Sequence, residues 1–204
     1  MIDAGNLYIN FVLHAVYGRL GEADHLMKRW GDQIREVADV LRAKHPIDEH
    51  PLYRGVLLDP ALKLGTHFPF VSWSEDRDVA RWFGDPRSYI SEPFRAYHPE
   101  AQGYMLAIDA PRSRVLFHYT WAEVFGAPLG FLAYLHPSMG REGARQIEWS
   151  IATQREVITE PIDGLEAVPL DPVPDTAISK LDRKLCPPWI DLPAALERPH
   201  HGDA

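Results

Sequence analysis

The chain has 204 residues, which fits one domain or one domain with an appendage. Apolar residues make up 46% of the sequence and aromatic residues 11%, so the chain can build a packed core and is not a disordered polymer. The formal net charge of -8 argues against a protein that coats nucleic acid, because contacts along phosphates need surplus lysine and arginine.

Cysteine content and apolar runs bear on the cellular location. Cys186 is the only cysteine, so no intrachain disulfide can form, which suits a reducing compartment. The apolar runs, such as residues 127–135, fall well short of the ~20 residues that a membrane span needs. A basic start followed by an apolar segment, as in a secretion signal, is not evident. We therefore expect a cytoplasmic protein with no membrane partner.

The first 45 residues have helical periodicity. Apolar side chains recur every three or four positions from Leu26 to Leu41, which predicts one amphipathic helix. Gly21 is expected to separate this helix from a shorter one at residues 7–17. His45-Pro46 is expected to end the segment, because the residue before proline is disfavoured in helical geometry.

After residue 50 the pattern changes to short strands. Apolar and β-branched runs bounded by turn residues predict strands at 52–58, 67–73, 103–109, 114–119, 147–153, 156–159 and 165–170. Ser74 is a good N-cap for a helix over residues 75–83, whose first turn is acidic. Residues 121–135 fit either a helix or a buried connection.

This order of elements predicts an α+β fold, because helices come first and many short strands follow. The predicted organisation is an N-terminal helical segment at 1–48, a core at 49–172 and a Pro-rich tail of little periodicity at 173–204. The sequence contains no GxGxxG after a strand and no GxxxxGK[ST], so a dinucleotide would have to be held by another route.

Three local patterns carry candidate chemistry. In Tyr53-Arg54-Gly55, the arginine can present a charged planar fork to a phosphate or carboxylate, and the glycine lets a ligand approach the backbone closely. The alternative is an exposed strand arginine beside a turn glycine. In Ser72-Trp73-Ser74, the first hydroxyl can orient a neighbouring Arg or Glu or bind a ligand, and Trp73 forms either an aromatic wall or part of the core.

The third pattern is Gln154-Arg155-Glu156. Residues two apart on a strand share a face, so Gln154 and Glu156 are expected to point the same way. A carboxylate beside an amide suits a site where positive charge develops on a sugar. The alternative is a polar edge-strand face.

Together the three patterns resemble the R-S-E clade of mono-ADP-ribosyltransferases, the clostridial toxin-like enzymes. That family has an arginine on its first core strand, a Ser-Thr-Ser-like motif opening a helix, and Glu-x-Glu or Gln-x-Glu on a late strand. The resemblance covers residues 50–172, with Trp73 in place of the usual threonine and a short interval between Arg54 and Ser72. It implies an ADP-ribosyltransferase fold of two packed, mainly antiparallel sheets.

A second Gln-x-Glu, Gln146-Ile147-Glu148, leaves the catalytic glutamate open. Glu156 is favoured because Glu-Val-Ile followed by Pro161 is similar to the end of the family's strand, and Glu148 is the alternative. The segment 136–146 is expected to be a loop that presents the acceptor.

The resemblance implies that NAD is consumed as a substrate and that no metal is needed. Glu156 would stabilise the sugar cation, Arg54 would hold the NAD phosphates, and Ser72 would position Glu156 or the ribose. The NAD-binding residues would be Arg54, Gly55, Ser72, Trp73 and Ser74.

Gln154 bears on the acceptor. In the family, glutamate at this position accompanies arginine acceptors, whereas glutamine accompanies asparagine or guanine. We therefore expect an acceptor nitrogen other than arginine, in a protein or, less favoured by the acidic charge, a nucleobase. A monomer is expected. The alternatives are an NAD glycohydrolase and a degenerate transferase fold that only binds.

Overall fold

The structure is a computed structural model that describes residues 3–48, 50–58, 71–162 and 165–190. Within these ranges the fold is mixed α+β, as the order of elements predicts. The strands are β1 (Leu52–Leu58), β2 (Val71–Ser74), β3 (Gln102–Ile108), β4 (Val115–His118), β5 (Glu156–Thr159) and β6 (Val168–Pro169). The α-helices are α1 (Ala4–Val16), α2 (Leu20–Lys44), α3 (Arg77–Gly84), α4 (Glu92–Arg95), α5 (Leu129–Leu135), α6 (Gly140–Trp149) and α7 (Asp175–Leu185).

The six described strands form one antiparallel sheet in the order β4-β5-β2-β1-β3-β6. The resemblance implied two packed sheets, whereas the described strands join into a single one. The join is narrow, because β1 and β2 share only the register pair Tyr53 with Ser74. By contrast, β1 and β3 pair along the whole of both strands.

The N-terminal helices lie against the sheet. Asp3 caps α1 by accepting a hydrogen bond from the backbone N–H of Gly5 at 3.1 Å. The corner between α1 and α2 turns at Gly18, whose φ of 81° favours glycine. The expectation that Gly21 separates the two helices is wrong, since this residue lies inside α2.

The largest hydrophobic cluster joins those helices to the sheet. Tyr8 and Phe11 of α1 and Ile34 of α2 are fully buried with Phe117 of β4 and Ile158 of β5. The N-terminal helices therefore share one core with β4 and β5. The proposed division of the chain at residues 48 and 172 stays a prediction.

Three predicted elements differ in the structure. Residues 147–153 are helical: α6 runs into a π-helical turn at Ser150–Gln154. Alternation of apolar residues there suggests a strand, but Gly143, Ile147 and Ser150 are buried at steps of four and three, as on a helix, together with Trp149. The expected loop at 136–146 is largely α6 as well.

The Pro-rich tail also contains structure, because α7 packs on α3. Asp182 of α7 is buried and accepts hydrogen bonds from Trp82 Nε1 at 2.7 Å and from the Tyr89 backbone N–H at 2.9 Å. A buried carboxylate hides the apolar periodicity of this helix, which explains why the sequence reads as irregular.

Three more predicted segments agree with the described structure only in part. Of the predicted strand at 67–73, residues 67–70 lie outside the described residues and residues 71–73 lie in β2. The predicted strand at 165–170 is reduced to β6. Residues 121–135 combine the end of a 3₁₀ turn, Tyr119–Val124, with α5. In the described part of the chain, no helix combines the length and apolarity needed to cross a lipid bilayer.

Candidate functional site

Arg54, Ser72 and Glu156 lie on three neighbouring strands, β1, β2 and β5. The register places Ser74 opposite Tyr53 on one side and opposite Glu156 on the other. Residues that are far apart in the sequence therefore meet at one end of these strands. All three predicted residues line one cleft with a volume of about 290 Å³, near the lower end of the ~300–1,000 Å³ range of small-molecule sites.

A chain of hydrogen bonds connects the three residues. Arg54 Nη1 donates to the backbone carbonyl oxygen of Ser72 at 2.8 Å. Ser72 Oγ donates to Glu156 Oε1 at 2.7 Å, across the diagonal between neighbouring strands. Ser72 therefore holds the arginine through its main chain and the glutamate through its side chain.

The Glu156 carboxylate is held in an environment that disfavours its charge. The residue is 4% exposed. Burial raises the pKa of Glu156 to about 7, although the hydrogen bond from Ser72 and the charge of Arg54 both act to lower it. Burial also lowers the pKa of Arg54, and the Glu156 charge opposes that shift.

One oxygen of this carboxylate has no hydrogen-bond partner among the described residues. Oε1 is occupied by Ser72, whereas the buried Oε2 accepts no hydrogen bond from any described residue. An unpaired buried carboxylate oxygen costs free energy unless a partner arrives. The arrangement can accept a hydrogen bond from a ligand hydroxyl and can stabilise positive charge that develops nearby.

Ser74 connects β2 to the segment before Glu156. Its hydroxyl donates to the backbone carbonyl oxygen of Gln154 at 2.5 Å and accepts from the Asp76 N–H at 3.0 Å. The prediction that Ser74 is the helix N-cap is wrong: Asp76 caps α3, with its Oδ1 accepting from the Asp78 N–H at 2.8 Å. The hydroxyl of Ser74 instead fixes the position of Gln154.

Gln154 and Glu156 do not share a strand face. Gln154 ends the π-helical turn, and Glu156 is the first residue of β5. Arg155 between them is left-handed, at φ 47° and ψ 54°, and is the one non-glycine residue with positive φ in the described chain. Gln154 and Glu156 nevertheless both line the cleft. The left-handed turn at Arg155 brings them to the same side, whereas the prediction had relied on the alternation of a strand.

Trp73 packs in the core and also contributes to the lining of the cleft. It is 2% exposed, it packs in the hydrophobic cluster with Val71 and Val157, and its Nε1 donates to Thr159 Oγ1 at 2.9 Å. Its indole therefore lies mainly in the core, on the face of β2 opposite to the Ser72 side chain.

Glycine is required at position 55 by the packing of α3, which the sequence does not reveal. It lines the cleft, but a Cβ at this position would overlap the backbone carbonyl oxygen of Ala80. The close approach that this glycine permits is that of α3 to β1. Gly84 of α3 and Gly103 of β3 belong to the same close contact between α3 and the sheet. A Cβ added at either position would meet backbone atoms of neighbouring elements.

Glu148, the alternative glutamate, lies elsewhere. It is exposed on α6 and lines a separate groove with Leu129 and Ile151, beside Gly130. Among the described residues, Glu156 is the carboxylate that lines the cleft.

Several residues of the cleft were not predicted from the sequence. They come from the corner between α1 and α2, from α3, and from α6 with its π-helical turn. The contributing side chains and backbone positions include Ala15, Val16, Tyr17, Gly18, Leu20, Val79, Ala80, Phe83, Gln146 and Ser150. Two signals could have found them: Tyr17-Gly18 as the helix corner, and the four-residue spacing of Gln146, Ser150 and Gln154.

Comparison with known proteins finds no matching family model, no matching curated protein and no matching solved structure. Function therefore has to be inferred from the site itself. Within the described ranges, no three His, Cys, Asp or Glu side chains converge as metal ligands would.

Proposed function

We propose that the chain is an NAD-consuming mono-ADP-ribosyltransferase of the R-S-E clade. The observation that carries the proposal is the hydrogen-bonded series Arg54, Ser72 and Glu156, which lines one cleft and leaves Glu156 Oε2 without a partner. Arg54 lies on the first described strand, Ser72 on the second and Glu156 on the fifth, and this order supports the resemblance.

The chemistry follows from the carboxylate. When the bond between nicotinamide and ribose breaks, nicotinamide leaves with the bonding electron pair and the sugar becomes oxocarbenium-like. Ionised Glu156 stabilises this cation, and Oε2 is the oxygen free to accept a hydrogen bond from a ribose hydroxyl. A nucleophilic nitrogen of the acceptor then bonds to the sugar carbon and loses a proton.

Arg54 and Ser72 support this reaction in different ways. Arg54 presents its guanidinium to the NAD phosphates, and one of its five N–H donors is used by the Ser72 carbonyl. Ser72 orients Glu156 through Oε1. Gly55, Trp73 and Ser74 act through the backbone and through packing.

The fold that we propose is the ADP-ribosyltransferase fold. Its two sheets would correspond to β4-β5-β2 and β1-β3-β6, since a single register pair joins the halves. The cleft residues Arg54 and Ser72 lie on either side of this junction, which suits a ligand that enters between the halves.

The acceptor is a nitrogen other than that of arginine. Gln154 supplies a neutral amide, which can pair with another amide or with an exocyclic base amine. A protein acceptor is favoured over a nucleobase because the chain has a net charge of -8. A monomeric cytoplasmic enzyme without a metal completes the proposal.

The test is incubation of the full chain with labelled NAD and a cell lysate, followed by protease or nuclease treatment of parallel samples. Label that protease removes and nuclease spares is the expected result. Glu156→Gln should lower transfer by at least about 10²-fold, since it removes the charge and keeps the shape. Glu148→Gln is the matched control, and its activity should equal that of the unmodified chain.

Other outcomes would replace the proposal. Free ADP-ribose without labelled macromolecule would indicate an NAD glycohydrolase. Absence of NAD binding in calorimetry would indicate a degenerate transferase fold. Loss of transfer in Glu148→Gln with full activity in Glu156→Gln would move the catalytic carboxylate.

A further inference from the structure

One wall of the cleft carries a row of neutral polar side chains from a single helix. Gln146, Ser150 and Gln154 are four residues apart, and all three line the cleft. A step of four overshoots one α-helical turn by about 40°. The π-helical turn at Ser150–Gln154 holds more residues per turn and offsets that drift. The π turn therefore keeps Gln154 in line with Gln146.

The chemistry of this wall differs from that of the sheet side. Among the described lining residues only Arg54 and Glu156 are charged, and both lie on strands. The helical wall offers amides and a hydroxyl, and the corner between α1 and α2 adds the apolar residues Val16 and Leu20. This lining suits an uncharged ligand group that can form hydrogen bonds with an amide.

The Gln146 amide is available for such a group. Its one hydrogen bond within the described structure is from Nε2 to Ser150 Oγ at 3.5 Å, which is long. The side-chain amide of Gln154 forms no hydrogen bond to a described residue. Gln146 is half-buried.

We propose that Gln146 is a specificity-determining residue that binds a carboxamide in this cleft. The proposal rests on the proposed function, which supplies two sources of this group. One is the carboxamide of the nicotinamide of NAD, and the other is the side-chain carboxamide of a protein acceptor. Both can pair with the glutamine amide through one donor and one acceptor.

The test compares Gln146→Leu, which keeps bulk and removes the amide, with Glu148→Gln on the same helix as the control. Three quantities are measured: the KM for NAD in nicotinamide release, the inhibition constant of free nicotinamide, and label transferred to lysate protein at saturating NAD. Removal of a buried hydrogen-bonding partner predicts about a ten-fold loss of affinity with kcat nearly unchanged. Far-ultraviolet circular dichroism checks that the variant folds.

The three measurements distinguish the two possible sources of the carboxamide, NAD and the protein acceptor. Parallel increases in the KM for NAD and in the nicotinamide inhibition constant would assign Gln146 to the carboxamide of NAD. Reduced transfer with both constants unchanged would assign it to the acceptor. The proposal is overturned if all three quantities stay within two-fold of the unmodified chain, or if nicotinamide release and transfer slow by the same factor while both constants stay unchanged.

Failure of the proposed function gives a different result. If the unmodified chain releases no nicotinamide from NAD, the transferase proposal fails. Binding of free nicotinamide, measured by calorimetry, then tests the carboxamide site alone. Binding that Gln146→Leu weakens would support the site, and equal binding by both chains would overturn it.

Discussion

Ser72 Oγ donates a hydrogen bond of 2.7 Å to Glu156 Oε1, and Glu156 Oε2 is buried without a partner in the described structure. The two oxygens of one carboxylate therefore have different environments. Ser72 fixes the orientation of the carboxylate and favours its ionised form, while burial opposes ionisation. The activity that we propose needs the ionised form, so it depends on both residues together.

Ser72→Ala should move the pH dependence of NAD cleavage. With the serine present, kcat/KM should rise with pH through about 7, the pKa of Glu156. Removal of the hydrogen bond raises that pKa further, so the ascending limb should move up by about one to two pH units. The variant should therefore lose more activity at pH 6 than at pH 9.

Ser72→Thr is the matched control for this prediction, because it retains the hydroxyl. Its pH profile should follow that of the unmodified chain. A Ser72→Ala profile that falls by the same factor at every pH would show that the serine does not set the ionisation of Glu156.

Glu156 should also make stability depend on pH. Its pKa rises from 4.5 when unfolded to about 7 when folded, so the folded chain binds the extra proton between these values. This extra proton stabilises the folded chain. Its contribution to the free energy of unfolding is fully present below pH 4.5 and is lost as pH rises through 7. The shift corresponds to roughly 3 kcal/mol at most.

Glu156→Gln cannot titrate at this position and should lack that loss. The free energy of unfolding is measured in urea from pH 5 to pH 8. As pH rises, it should fall more in the unmodified chain than in the variant. His14 and His118, whose pKa values are lowered by burial, are present in both proteins and cancel in the difference. Parallel curves for the two proteins would contradict the raised pKa.

Gly55→Ala tests the packing that positions α3 over the cleft. The added Cβ would overlap the carbonyl oxygen of Ala80, and a backbone atom cannot move away by side-chain rotation. We expect a loss of at least about 3 kcal/mol in the free energy of unfolding, or failure to fold. Gly21→Ala is the control, since no atom lies within 4 Å of its added Cβ. The control should be neutral or stabilising by up to about 1 kcal/mol.

Several elements were predictable from the sequence because local patterns decide them. β1 and β5 have the predicted bounds, Leu52–Leu58 and Glu156–Thr159, since both are short apolar strands bounded by turns. The meeting of Arg54, Ser72 and Glu156 followed from motif order and not from periodicity.

The other parts depend on tertiary contacts that a sequence pattern does not contain. Ser74 and Asp76 both had N-cap chemistry, and only the contact with the Gln154 carbonyl separates their roles. The stretch around Ile147 alternates like a strand, yet its burial against the other helices makes it helical. The contribution of Tyr17 to the cleft required the packing of the N-terminal helices on the sheet.

Gln154→Glu should change the acceptor. The side chain lines the cleft beside Glu156, and the Ser74 hydroxyl fixes its backbone carbonyl at 2.5 Å. Glutamate has nearly the same size, so the turn should be preserved while the amide becomes a carboxylate. A carboxylate pairs with a guanidinium through two charge-assisted hydrogen bonds. The variant should therefore transfer ADP-ribose to agmatine, a small guanidino compound, at least about ten-fold faster than the unmodified chain.

The same variant should label lysate protein less, because a carboxylate lacks the N–H donors that an amide acceptor pairs with. NAD cleavage in water should stay within a few-fold, since Arg54, Ser72 and Glu156 are unchanged. Equal labelling of lysate protein and agmatine by both chains would show that Gln154 does not contact the acceptor. If agmatine labelling rose while protein labelling stayed constant, the carboxylate would add a new acceptor without excluding the original one, and acceptor selection would depend on other residues of the helical wall.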